Sequence, residues 1–138
     1  MQSVTIKELD KKFSTLLKTI PEARREMLRE LSEELLGDVN RRIGGRGKVR
    51  SWQDRFLGSG GGWAAVRPKA KTWTEATRAG KRYAVGYVTN AITSGHRAGV
   101  RGYVPGKGFY AGARQNARAI VRRAIERFEA RLREEAEL

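Results

Sequence analysis

The chain has no cysteine and one histidine, His96, in 138 residues. The first absence excludes disulfides and thiolate metal sites, and it suits a protein made in a reducing cytoplasm. The second leaves any zinc to be held by carboxylates. Residues 37–110 offer only three of these, Asp38, Asp54 and Glu75, among fifteen cations. No metal and no cofactor is expected. No run of residues approaches the ~18 apolar positions of a membrane span. Met1-Gln2-Ser3-Val4 lacks the basic and then apolar regions of a secretory leader. Neither a membrane nor an export route is expected.

Carboxylates are also missing where catalysis would need them. A Ser-His-Asp arrangement requires an acid to orient the imidazole. Ser94 is near His96, but no Asp or Glu lies between Glu75 and Glu126. A loop histidine making one hydrogen bond is the expected role. Gly106-Lys107-Gly108-Phe109-Tyr110-Ala111 has the letters of a dinucleotide fingerprint. Pro105 precedes it and one helix follows, so no strand–helix–strand unit is completed. The glycines at 58 and 60–62 lack the Gly-Lys-Ser/Thr ending of a phosphate-binding loop and read as a turn. No paired carboxylates stand ready for acid–base work. No catalytic residue is assigned, and the chain is not expected to be an enzyme.

What is abundant is positive charge, 29 Lys and Arg against 15 Asp and Glu, for a formal net charge of +14. Residues 1–36 carry seven of each sign, and residues 111–138 carry seven basic and five acidic side chains. Residues 37–110 carry fifteen against three, a net +12, together with 15 of the 16 glycines. A nearly neutral frame thus encloses a basic, glycine-rich middle. Such asymmetry points to a polyanion or an acidic protein surface as partner.

Apolar spacing supplies the frame. Ile6, Leu9, Phe13, Leu16, Leu17 and Ile20 recur every three or four residues, and Thr5 with Glu8 has the form of a capping box. Pro21 is tolerated at a first helical position, so it predicts the start of a second helix. That helix carries Met27, Leu28, Leu31, Leu35, Val39 and Ile43 and stops at Gly44-Gly45. Between 46 and 108 the helical period vanishes. Residues 63–66 and 83–92 are the best strand candidates; in the second, Tyr83, Val85, Tyr87 and Thr89 alternate with smaller residues. Glycine-rich connections at 44–47, 58–62 and 95–108 separate them. From 111 a long helix with Ala117, Ile120, Val121, Ala124, Ile125, Phe128 and Leu132 on one face closes the chain.

The expected fold is α+β in a single domain, 1–138. N-terminal helices (1–43) and a long C-terminal helix (111–138) pack on a small antiparallel sheet, with long basic loops (44–110). Trp52, Phe56, Trp63, Trp73, Tyr103 and Phe109 argue against a disordered middle. They are candidates for a partner or ring interface, where Trp and Tyr are enriched, although the tryptophans would equally anchor a small core. Arg46, Lys48, Arg50, Lys69, Lys71, Arg97, Arg101 and Lys107 are the candidate electrostatic contacts.

Three stretches resemble a known family. These are Ser51-Trp52-Gln53-Asp54-Arg55-Phe56-Leu57-Gly58-Ser59-Gly60-Gly61-Gly62-Trp63, then Tyr83 to Ile92 with Ser94-Gly95-His96, then Pro105-Gly106-Lys107-Gly108-Phe109-Tyr110. They resemble the tail-completion, or head–tail joining, neck proteins of tailed bacteriophages and prophages. The resemblance implies a small α+β subunit of the virion neck, assembled in the host cytoplasm. It implies a homo-oligomer, usually a hexameric ring, between the head-side connector and the tail terminator or tail tube. Double-stranded DNA would pass through the ring, touched only transiently. A conduit that gripped the genome would fail, so most basic loops are expected to face acidic surfaces of adjoining rings. The alternative expectation is a basic nucleic-acid-binding protein.

Overall fold

The computed structural model describes residues 5–45 and 47–136. The first helix, α1 (Ile6–Ile43), opens on a reciprocal cap. The Thr5 hydroxyl accepts from the Glu8 amide at 3.2 Å, and the Glu8 carboxylate accepts from the Thr5 amide at 3.0 Å. Both amides would otherwise lack partners at a helix start. The helix then runs unbroken through Pro21 for 38 residues. The two helices predicted to meet at Pro21 are therefore one. Proline removes a single intrahelical bond, and the buried seam that holds α1 in place begins two residues later, at Ala23. Gly44, at φ 67°, ends the helix as predicted; such a backbone angle suits glycine because it has no Cβ.

A short helix α2 (Gly47–Ser51) leads into a hairpin of β1 (Gln53–Leu57) and β2 (Ala64–Pro68). The strands are antiparallel, with Gln53 opposite Pro68 and Leu57 opposite Ala64. Arg55 ties the hairpin to α1 through a 3.1 Å ion pair with Glu33. The strand expected at 63–66 is thus present, beginning at Ala64.

Residues 83–92 are not a strand. They belong to α3 (Val85–Ser94), a helix inside the region read as strands and loops. Val85 and Thr89, one turn apart, are both fully buried. A strand would put Tyr87 on the same buried face, yet Tyr87 is 68 % exposed; only the helical period buries Val85 and Thr89 and turns Tyr87 outward. A second antiparallel hairpin follows, β3 (Gly95–Ala98) with β4 (Gly102–Pro105). The expected small sheet is therefore two separate two-stranded sheets.

The last helix, α4 (Phe109–Ala136), starts two residues earlier than predicted. It lies antiparallel to α1. Arg131 meets Glu26 at 2.9 Å, Arg127 meets Glu30 and Glu34 at 3.3 and 2.7 Å, and Asn116 reaches Asp38 at 3.3 Å. Beneath these polar links, Ala23, Ile120 and Ala124 are buried between the helices. At the other end of the pair Val39, Ile43, Val49, Phe109 and Ala113 form the main core, with Trp52, Val66, Ile92 and Tyr110 packed on it. The α+β class predicted from the sequence is the class found.

Candidate assembly surfaces

Among the described residues, register along the helix pair leaves one end of α1 uncovered. Arg131 pairs with Glu26 and α4 ends at Ala136. Five further residues at ~1.5 Å each carry the pairing back only about as far as Pro21. The preceding turns project as an arm of about 20 Å. Its apolar stripe faces solvent: Ile6 is 86 % exposed, Phe13 57 % and Leu17 71 %. Large apolar side chains repeated along one helical face are costly to leave in water, and they mark contact surfaces.

The six candidate interface aromatics divide. Phe109 is buried in the core, so its assignment to an interface is corrected: it is the first residue of α4 and anchors that helix against Val39 and Ile43. Trp52 is half-buried against the same core. Phe56 is half-buried on β1 and carries the Arg67 guanidinium 4.5 Å above its ring centroid. Trp63, Trp73 and Tyr103 are exposed. Trp63 lies over Gly58 so closely that a side chain there would strike its ring. Trp73 pairs with Ala84 in an isolated antiparallel bridge, and the adjacent Tyr83 stacks on Tyr87 with ring centroids 6.3 Å apart. The basic loop 75–82 between Trp73 and Tyr83 is closed by the Thr77 amide, which donates to the Lys81 carbonyl at 2.9 Å.

Few carboxylates answer the central positive charge. Asp38 is held by Arg41 and Arg42, each at 3.1 Å. Burial pushes its carboxyl up, but those hydrogen bonds, the Arg42 charge and Asn116 outweigh burial and leave it below the ordinary 3.8. Glu75 pairs with Lys48 at 3.3 Å, and Asp54 accepts from the Arg55 amide at 2.8 Å. Lys48 is thus partly neutralised within the chain. Arg50, Lys69, Lys71, Arg97, Arg101 and Lys107 are exposed and make no ion pair among the described residues. Arg46 lies outside the described residues. The candidate cations lie on different elements: Lys69 and Lys71 follow β2, while Arg97 and Arg101 belong to the β3–β4 hairpin.

His96 stands exposed on β3 with Nδ1 3.3 Å from the Ala91 carbonyl oxygen, one hydrogen bond as predicted. The fingerprint-like glycine turn donates its Lys107 and Gly108 amides to the carbonyls of Ile92 and Thr93. Those amides therefore serve the docking of α3 on α4.

Sequence reasoning missed a groove of about 690 Å³ between residues 66–72, the polar side of α3 and the first turns of α4. Arg67, Lys69, Lys71 and Arg114 line it with Thr72, Asn90, Thr93 and Ser94, and no acidic residue is among its walls. At its base the Tyr110 hydroxyl donates to Oε1 of the buried Gln53 at 2.6 Å, while Gln53 Nε2 donates to Thr89 Oγ1 at 3.0 Å. One signal was legible: α4 has no acid in its first turn, although that position favours one. No family model, curated protein or solved structure matches the chain.

Proposed function

We propose that this protein is a structural subunit of a tailed-phage neck, forming a ring that joins the head connector to the tail and lets DNA pass. The observation that carries the reading is the uncovered apolar arm of α1, with Ile6, Phe13 and Leu17 facing water. A chain with that stripe is completed by neighbouring copies or adjoining layers. A repeated head-to-tail contact closes into a ring when its rotation permits. The exposed Trp63, Trp73 and Tyr103 add aromatic anchors of the kind that dominate interfaces. The phage context comes from the three sequence stretches that resemble neck proteins. Deleting the gene from a producing phage or prophage tests the reading. Filled heads and free tails should accumulate unjoined; joined, infectious particles lacking the protein would overturn it.

A second reading, a nucleic-acid-binding protein, draws on the exposed Trp73, Tyr83 and Tyr87, which flank Arg78, Lys81 and Arg82 along the chain. Exposed rings in a segment whose cations make no ion pair among the described residues suit stacked bases and phosphates. It requires affinity that falls steeply with salt, as several phosphate contacts dictate.

A further inference from the structure

We infer that the groove between β2, α3 and the start of α4 is a receptor for an acidic peptide segment of a protein partner. This goes beyond the neck reading and does not depend on it. The groove's volume of about 690 Å³ falls in the range of sites that enclose a ligand. Its charge is of one sign: Arg67, Lys69, Lys71 and Arg114 converge on it and no carboxylate shares the wall. None of these four is ion-paired among the described residues, although Arg67 rests on the Phe56 ring. The positive end of the α4 dipole opens beside them, with no acid in the first turn to offset it.

The remaining surface decides between a peptide and a nucleic acid. Pro68, Ala70, Ala84 and Ala111 add small apolar groups to the groove's lining. Thr93 and Ser94 at its edge supply short hydroxyls. Carboxylates alternating with small apolar side chains match both features in one extended strand. A duplex presents its phosphates on a convex surface, which meets protruding cations such as Arg78 and Lys81 more readily than a recess. Charge complementarity and concavity therefore favour the peptide.

The test uses the full chain and a fluorescently labelled peptide of alternating Glu and Ala, with anisotropy read at ~0.15 M ionic strength, where distant surface charges are screened. The double variant Lys69→Glu/Arg114→Glu reverses charge in the groove, and Arg97→Glu/Arg101→Glu makes the same change in net charge on the β3–β4 hairpin. Ala70→Trp fills the groove without altering charge. All five positions are exposed, so the fold is retained. The groove pair should weaken peptide binding by about tenfold or more, the hairpin pair by less than about twofold. Ala70→Trp should weaken it as well. Failure of the unaltered protein to bind the peptide, equal weakening by the two charge pairs, or no effect of Ala70→Trp would each overturn the inference. So would a labelled DNA duplex that loses affinity through the groove pair while the peptide does not.

Discussion

The Tyr110 hydroxyl donates a 2.6 Å hydrogen bond to Oε1 of Gln53, a residue 57 positions earlier. The same amide donates through Nε2 to the Val49 carbonyl and to Thr89 Oγ1, each at 3.0 Å. One buried side chain thus joins α2, β1, α3 and α4, using its donors and its acceptor together. Burial pushes the Tyr110 hydroxyl up to about 12, which keeps it a donor at any physiological pH.

Replacing Tyr110 with Phe should destabilise the protein by about 1–3 kcal/mol, because a buried amide oxygen is left without a donor. Denaturant unfolding measures the loss. The hydroxyl also makes stability depend on alkali. Its folded value lies above the ordinary 10.0, so the native state holds the proton more tightly than the unfolded chain. The contribution is complete below about pH 10 and is lost as pH rises towards about 12. Tyr110→Phe should lack this part of the alkaline decline. A mutant whose pH profile matches the parent's would place the transition elsewhere.

Asp38 gives the opposite slope. Its carboxyl is held below 3.8 in the folded protein, so its contribution is present above that value and disappears as pH falls through the lower folded one. Asp38→Asn keeps the shape but replaces a charged acceptor shared by Arg41, Arg42 and Asn116. The expected cost at neutral pH is about 1–3 kcal/mol. The difference between parent and variant should shrink in acid, which unfolding curves at descending pH will show.

How much of this was legible depended on whether a signal was local. The Thr5–Glu8 cap and the Gly44 stop are written within a few residues, and both are found; of the apolar face of α4, Ile120 and Ala124 are buried while Ile125 stays 42 % exposed. Residues 83–92 misled because a ten-residue apolar run with alternating Tyr and Val satisfies a strand period. The same run buries Val85 and Thr89 but leaves Tyr87 exposed between them, which a strand period does not allow and a helical one does. Phe109 looked like the other aromatics of the loops, yet its place at the start of α4 turns it into the core. The groove was invisible for a related reason: β2, α3 and α4 each supply part of its wall, and no single stretch carries its pattern.

Proline cannot donate within a helix, so in the sequence Pro21 marks a boundary. In the continuous α1 it costs one bond to the carbonyl four residues earlier, that of Leu17. Pro21→Ala should restore that bond and stabilise the helix by about 1–2 kcal/mol, after allowing for the more flexible unfolded chain. Amide hydrogen exchange should slow around the substitution and along the arm. Unchanged exchange on both sides would mean that the helix is already broken there in solution.

The arm offers the sharpest separation between folding and assembly. Phe13 and Leu17 are 57 % and 71 % exposed, and no described element covers them. Phe13→Asp with Leu17→Asp should therefore change the unfolding free energy of the lone chain by little more than about 0.5 kcal/mol per site. Association should suffer far more, because burying each charge at an interface requires a partner that an apolar contact surface lacks. Sedimentation of the parent and the double variant reads both sides, since the monomer's shape and the assembled fraction appear together. Retained folding with lost assembly assigns the stripe to contacts between molecules. A variant that assembles as well as its parent shows that the apolar face is dispensable, and the association must then be carried by the aromatic or basic surfaces.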